Sequence, residues 1–180
     1  SIAELEFGTS AAAVDEVNKR IYYIERFDNN DNKRLAYYDL IAGTNTIVGL
    51  TGSNKIIDKL AFKADGTLYA MSSTKQLYTI NTSTGAATLL ATLNVNGGGG
   101  DLAFDSEGNL YVILLTGNVY KINLSTYTTT LIGDSNIQAT GLIYKSDATT
   151  VSCFSKPDSF FVGSGGSIAR RARSCASGLR

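Results

Sequence analysis

Asp28, Asn29, Asn30, Asp31 and Asn32 form the densest set of oxygen donors in the chain. Donors at alternate positions 28, 30 and 32, with Asp39 eleven residues after Asp28, approach the spacing of a calcium loop. The pattern breaks at Lys33, where such a loop needs the glycine of its sharp turn, and residues 35–39 read as a strand. A polar hairpin loop is the stronger reading. No metal site is assigned, and calcium is the one cofactor the spacing leaves open. Gly97 to Gly100 could bring backbone N–H groups to an anion, but no Lys-Ser or Lys-Thr follows and no helix begins there. That run reads as a flexible connector.

Other reactive chemistry is scarce. The chain has no His, which removes the commonest general base and the commonest transition-metal ligand. Its two cysteines, Cys153 and Cys175, are too few for structural zinc. Cys153 sits in an apolar run and reads as a core residue, Cys175 lies among arginines, and a bond between them is the alternative in an oxidising compartment. No carboxylate pair converges with a partner, so no catalytic residue is assigned.

The 16 basic and 16 acidic side chains balance, but Arg170, Arg171, Arg173 and Arg180 crowd one end, leaving 12 basic against 16 acidic groups elsewhere. A mildly acidic body offers no electrostatic footprint for nucleic acid or an anionic membrane surface. No run reaches the roughly 18 apolar residues of a membrane span, and no apolar leader opens the chain. The 180 residues, 43% hydrophobic, suit a soluble globular domain.

The elements that position these residues are set by an internal repeat. Leu60-Ala61-Phe62 recurs 42 residues on as Leu102-Ala103-Phe104, Gly66-Thr67-Leu68-Tyr69 as Gly108-Asn109-Leu110-Tyr111, and Ile80-Asn81 as Ile122-Asn123. Leu35, Tyr38, Asp39 and Gly43 sit 42 before Leu77, Ile80, Asn81 and Gly85, whereas Ile21-Tyr22 lies 47 before Leu68-Tyr69. This earlier copy therefore carries five extra residues, within Arg26 to Lys33. A degraded fourth copy begins at Gly141. Each unit reads as four short strands joined by tight turns, with Asp65-Gly66 as a hairpin signal. No helical periodicity appears. A period of about 40–45 residues suits an all-β propeller of four-stranded antiparallel blades. The expected blades are 11–50, 60–93, 102–133 and a partial 141–162.

The segment Leu102-Ala103-Phe104-Asp105, Gly108-Asn109-Leu110-Tyr111, Val119-Tyr120-Lys121-Ile122-Asn123 and Ser125-Thr126 resembles the repeat of bacterial secreted and cell-surface β-propellers of the broad NHL and YVTN-like class. The resemblance covers roughly residues 11 to 165 and implies a fold rather than an activity. The chain departs from it at Tyr127, where Gly43 and Gly85 predict Gly. Tyr22, Tyr69, Tyr111, Tyr78 and Tyr120 recur by blade and read as inter-blade packing, with a sugar-stacking surface as the alternative. Asn81-Thr82-Ser83 and Asn123-Leu124-Ser125 match the glycosylation triplet, and read equally well as turn chemistry.

Residues 1–7 alternate like an outer strand, which could complete the fourth blade and close a domain of 1–163. The rival readings are a piece of a longer wheel and self-association that completes the ring. Residues 164–180 read as a flexible Gly/Ser and Arg-rich tail.

Propeller connectivity gathers the blade-to-blade loops and the second-to-third strand loops on one face. The ligand-face candidates are Asp28, Asn30, Asp31, Asn32, Asn54, Lys55, Asn96, Asn118 and Asn136. The expectation is a non-catalytic extracellular or cell-surface module, adhesive or structural, with a protein or glycan ligand on that face. The alternative is a calcium-dependent propeller hydrolase or lactonase.

Overall fold

A computed structural model describes residues 9–26, 33–135, 139–144, 151–155 and 173–174, and side-chain surroundings for 11–25 and 33–135. The described residues form strands and turns, with no helix. The chain divides into two compact units, Ser1–Asn94 and Val95–Arg180.

The first unit holds two antiparallel sheets whose strands neighbour one another in chain order. One runs β1 (Thr9–Asp15), β2 (Arg20–Arg26), β3 (Lys33–Asp39), β4 (Thr44–Leu50), and the other β5 (Ile57–Phe62), β6 (Leu68–Ser72), β7 (Gln76–Ile80), β8 (Ala87–Thr92). Strand β1 packs beside β5. Alternation delivers Tyr22, Ile24 and Leu35 from one sheet and Ile57, Leu60, Leu68 and Ile80 from the other into a shared core. Tyr22 meets Phe62 edge-on, with ring centroids 5.4 Å apart.

Turn chemistry sets the register. At Asp65-Gly66 the Asp65 carboxylate accepts the Thr67 N–H at 3.0 Å, and Gly66 takes φ 86°. The turns between third and fourth strands repeat one device. Asp39, Asn81 and Asn123 each accept two N–H groups from the residues two and three places on. These are Asx turns, so both glycosylation triplets serve as turn chemistry.

The second unit holds β9 (Asp101–Phe104), β10 (Leu110–Ile113), β11 (Asn118–Ile122) and β12 (Thr129–Asp134) in one sheet, and β13 (Ala139–Tyr144), β14 (Val151–Ser155) and β15 (Arg173–Ser174) in another. Strand β13 packs against β9. Three four-stranded antiparallel sheets and a three-stranded fourth are the all-β architecture that the repeat predicts. Two residues assigned by sequence to the tail, Arg173 and Ser174, instead pair with Cys153 and Ser152. An open strand edge accepts any extended segment that can satisfy its N–H and C=O groups, and a two-residue ladder leaves little periodicity to read. The strand expected at residues 1–7 and the end of the partial blade expected at 141–162 lie outside the described residues.

Candidate functional site

In each four-stranded sheet, the start of the first strand, the second-to-third turn and the end of the fourth strand share one end, because consecutive strands alternate in direction. In the first unit this end holds Asn54, exposed, and Lys55, half-buried, in a loop braced by Ser53, whose Oγ donates to the Lys55 carbonyl at 3.2 Å. Thr51 fixes the loop, its Oγ donating to the Lys33 carbonyl at 3.2 Å. Asp28, Asn30, Asp31, Asn32 and Asn136 lie outside the described residues.

Sequence reasoning missed what accompanies these residues. The buried polar side chains among the described residues are Glu25, Lys33, Thr51, Lys59 and Ser72, all in the first unit and all at this end. Glu25 pairs with Arg34, which faces it across the β2–β3 ladder. Lys59, with its side chain fully buried, donates to Asp58 at 2.7 Å. The available signal was Lys59 itself, a charge inside the run Ile56-Ile57-Asp58-Lys59-Leu60-Ala61-Phe62. Ser72 has a local role: its Oγ lies 3.0 Å from that of Thr74 and accepts the Gln76 N–H at 3.1 Å, closing the β6–β7 turn.

In the second unit the same end of the sheet brings two candidates together. Asn118 Nδ2 lies 3.5 Å from the Asn96 carbonyl, and the Asn96 N–H donates to the Tyr120 hydroxyl at 3.2 Å. The glycine run that follows is no loose connector. Leu115 N–H donates to the Gly98 carbonyl at 3.0 Å, and a Cβ on Gly100, which has φ 83°, would sit 1.8 Å from the Ile113 carbonyl oxygen. Only glycine lets this backbone lie so close to the β10–β11 hairpin.

An open groove of about 450 Å³ lies at the other end of that sheet, away from the face favoured by sequence, lined by Gly108, Asn109, Lys121, Asn123, Thr128 and Thr130 among others. Asp105 organises its wall, accepting the Asn109 side-chain amide at 2.8 Å and the Tyr111 hydroxyl at 3.1 Å. Burial pushes the Asp105 carboxyl up, but the Asn109, Tyr111 and Glu107 hydrogen bonds outweigh it and hold the group below the ordinary carboxylate range. The Lys121 ammonium stands 5.9 Å from the Tyr111 ring centroid. Several polar atoms here make no hydrogen bond to a described residue: Asn109 Oδ1, Asn123 Nδ2, Thr130 Oγ and Lys121 Nζ. Among the described residues no three His, Cys, Asp or Glu side chains group to hold a metal.

A family model described as a domain of unknown function, DUF4394, matches residues 35–107. No curated protein matches the chain. Among solved structures, a structural genomics protein of unknown function from Bacteroides thetaiotaomicron is similar at 23% identity and TM-score 0.60, over 72% of this chain and 34% of that one. A chain of the nidogen/laminin complex is similar at 15% identity and TM-score 0.62, over 81% of this chain and 56% of that one. The fold is that of a β-propeller. A luciferin-regenerating enzyme shares the likeness at 18% identity and TM-score 0.56, over 80% of this chain and 52% of its own. The chain thus spans between 34% and 56% of the length of these three. Identities this low show the propeller fold alone, and the fold hosts both interaction proteins and an enzyme.

Proposed function

We propose that the chain is a non-catalytic propeller module that binds a protein or glycan ligand outside the cell or at its surface, without a cofactor, nucleic acid or membrane insertion. Its role is adhesive or structural, and self-association that completes the propeller is part of the same reading. The observation that carries it is the groove on the third blade. Donors on Lys121 and Asn123 and acceptors on Asn109 and Thr130 that make no hydrogen bond to a described residue meet in one open groove of about 450 Å³, within the size range of small-ligand sites. The nidogen/laminin complex shows a related propeller in a protein assembly. The test presents the purified chain to immobilised oligosaccharides and extracellular matrix proteins, and in parallel to lactone substrates with and without calcium. Saturable binding without turnover is expected. Calcium-dependent turnover abolished by chelation would overturn the reading in favour of a propeller hydrolase or lactonase.

A further inference from the structure

Asn96-Gly97 is the one Asn-Gly pair in the chain. The nitrogen that follows an asparagine can close a five-membered ring on the side-chain carbonyl carbon when nothing holds its proton or crowds its approach. Glycine, without a Cβ, crowds it least. Asn18, Asn45, Asn81, Asn109, Asn118 and Asn123 each commit the side-chain amide to a hydrogen bond. The side chains of Asn54 and Asn96, both exposed, make none with a described residue. What separates these two is the next nitrogen. Lys55 N–H donates to Ser53 Oγ at 3.1 Å, whereas Gly97 N–H makes no hydrogen bond to a described residue.

The fold needs glycine at 97 and only the backbone of Asn96. Gly97 has φ 125°, and a Cβ there would meet Thr116 Oγ1 at 2.9 Å. Asn96 is anchored by its main chain, its N–H donating to the Tyr120 hydroxyl at 3.2 Å and its carbonyl lying 3.5 Å from Asn118 Nδ2. The side-chain amide is left to react.

We propose that Asn96 is a self-modification site, where the side-chain amide becomes a carboxylate through a succinimide formed with Gly97. Hydroxide takes the Gly97 amide proton, the nitrogen bonds to Cγ of Asn96, and the side-chain nitrogen takes a proton from water and leaves as ammonia, which regenerates the hydroxide. Water then cuts either ring bond to nitrogen: cutting at Cγ gives aspartate, cutting at the main-chain carbonyl gives isoaspartate. The net change is one water consumed and one ammonia released, with no oxidation. Both products add negative charge to a candidate face residue. Isoaspartate also routes the chain through the side chain, one carbon longer, just before the Leu115 N–H meets the Gly98 carbonyl at 3.0 Å. The assignment does not depend on the binding-module reading.

The test incubates the whole chain, folded in buffer and unfolded in guanidinium, at mildly acidic and mildly alkaline pH, with Asn96→Gln alongside. Peptide mapping by mass spectrometry reads the gain of one mass unit at each asparagine, and backbone fragmentation separates isoaspartate from aspartate. Glycine rather than lysine as the next residue favours Asn96 in both states, so comparing the states isolates the structure. The Asn96-to-Asn54 rate ratio is expected to be about tenfold larger in the folded chain, the scale of the Lys55 hydrogen bond that must break there. The Asn96 rate should rise with pH. A ratio no larger in the folded chain, or a rate indifferent to pH, would overturn the proposal. Asn96→Gln, which would need a larger ring, should melt like wild type and gain no such mass at this position; an equal gain would overturn the succinimide route. In the isoaspartate form, hydrogen exchange at the Leu115 amide should quicken, while freshly purified Asn96→Asp, with the charge but not the extra carbon, keeps wild-type protection. Leu115 protection equal in all three forms would overturn the structural consequence.

Discussion

Tyr111 donates its hydroxyl proton to Oδ2 of Asp105 at 3.1 Å across the hairpin that joins β9 to β10. The same carboxylate oxygen accepts the Asn109 side chain at 2.8 Å, so one acid ties the turn to both the strand that follows it and the groove wall. The 42-residue repeat places Lys63 in the second blade where Asp105 stands in the third. There Lys63 donates instead to Asp65, at 2.5 Å. One turn position is thus braced by opposite charges in adjacent copies.

Acid sensitivity follows from these braces. The Lys63 side chain and the Thr67 hydrogen bonds hold Asp65 down at about 2, below the ordinary aspartate value of 3.8, and Asp105 is also lowered. A carboxyl whose folded pKa lies below its unfolded one stabilises the fold fully above the unfolded value and loses that contribution as pH falls through the folded one. Urea midpoints measured from pH 5 to pH 2 are therefore expected to fall across the window from 3.8 to about 2. The Asp105→Asn variant should start lower at neutral pH and fall less steeply. Parallel curves for the two proteins would contradict the assignment.

Asp58 and Lys59 make a second, sharper case. The Lys59 side chain is fully buried and Asp58 is its only hydrogen-bond partner among the described residues, at 2.7 Å. Removing one member of a buried pair strands the other, which typically costs about 3–5 kcal/mol, whereas replacing the pair with apolar groups is near neutral. Asp58 is 22% exposed, so Asp58→Ala should lose about 3 kcal/mol. Lys59→Met should stay within about 1 kcal/mol of wild type, and adding Lys59→Met to Asp58→Ala should restore most of the loss. Equilibrium unfolding of the four proteins reads this directly.

Two glycines with similar backbone separate strain from crowding. Gly52 and Gly100 have φ 67° and 83°, but a Cβ at Gly52 meets nothing within 4 Å while one at Gly100 meets the Ile113 oxygen at 1.8 Å. Gly52→Ala is expected to cost about 1 kcal/mol, from the left-handed conformation alone. Gly100→Ala should cost about 3 kcal/mol or more, because backbone must also move. Equal losses in a denaturant titration would mean that the close approach of 97–100 to the β10–β11 hairpin does not persist in solution.

What was legible in the sequence was whatever repeats. Leu60-Ala61-Phe62 against Leu102-Ala103-Phe104 fixed the period, and Gly43 with Gly85 exposed the turn that Tyr127 violates. Features that break the repeat were harder to read. The Glu25–Arg34 pair depends on a cross-strand register that the insertion within Arg26 to Lys33 obscures. Lys59 was legible only as a charge inside an apolar run, and the full burial of its side chain is decided by tertiary packing. The candidate face was inferred from loop connectivity, so it captured the contact between Asn96 and Asn118. It could not anticipate the groove at the opposite end of the third blade, because that concavity arises from side-chain shape rather than from chain topology.

Gly85 and Tyr127, with φ 82° and 57°, permit a reciprocal experiment on the same turn. A left-handed L-residue costs about 1–2 kcal/mol, and the extra freedom of glycine in the unfolded chain offsets about 0.5–1 kcal/mol of that. Tyr127→Gly is therefore expected to gain up to about 1 kcal/mol in a denaturant titration. The reverse change is far harsher, because a Cβ at Gly85 would lie 2.4 Å from the carbonyl oxygen of Gly49 in β4, where the first and second blades touch backbone to backbone. Gly85→Tyr should lose about 3 kcal/mol or more and disturb the Gly49 amide in solution spectra. The asymmetry is the critical readout: a turn governed by φ alone would make the two substitutions equal and opposite. Contact with the neighbouring blade makes glycine obligatory at 85, while the third-blade turn accepts a tyrosine at the cost of strain.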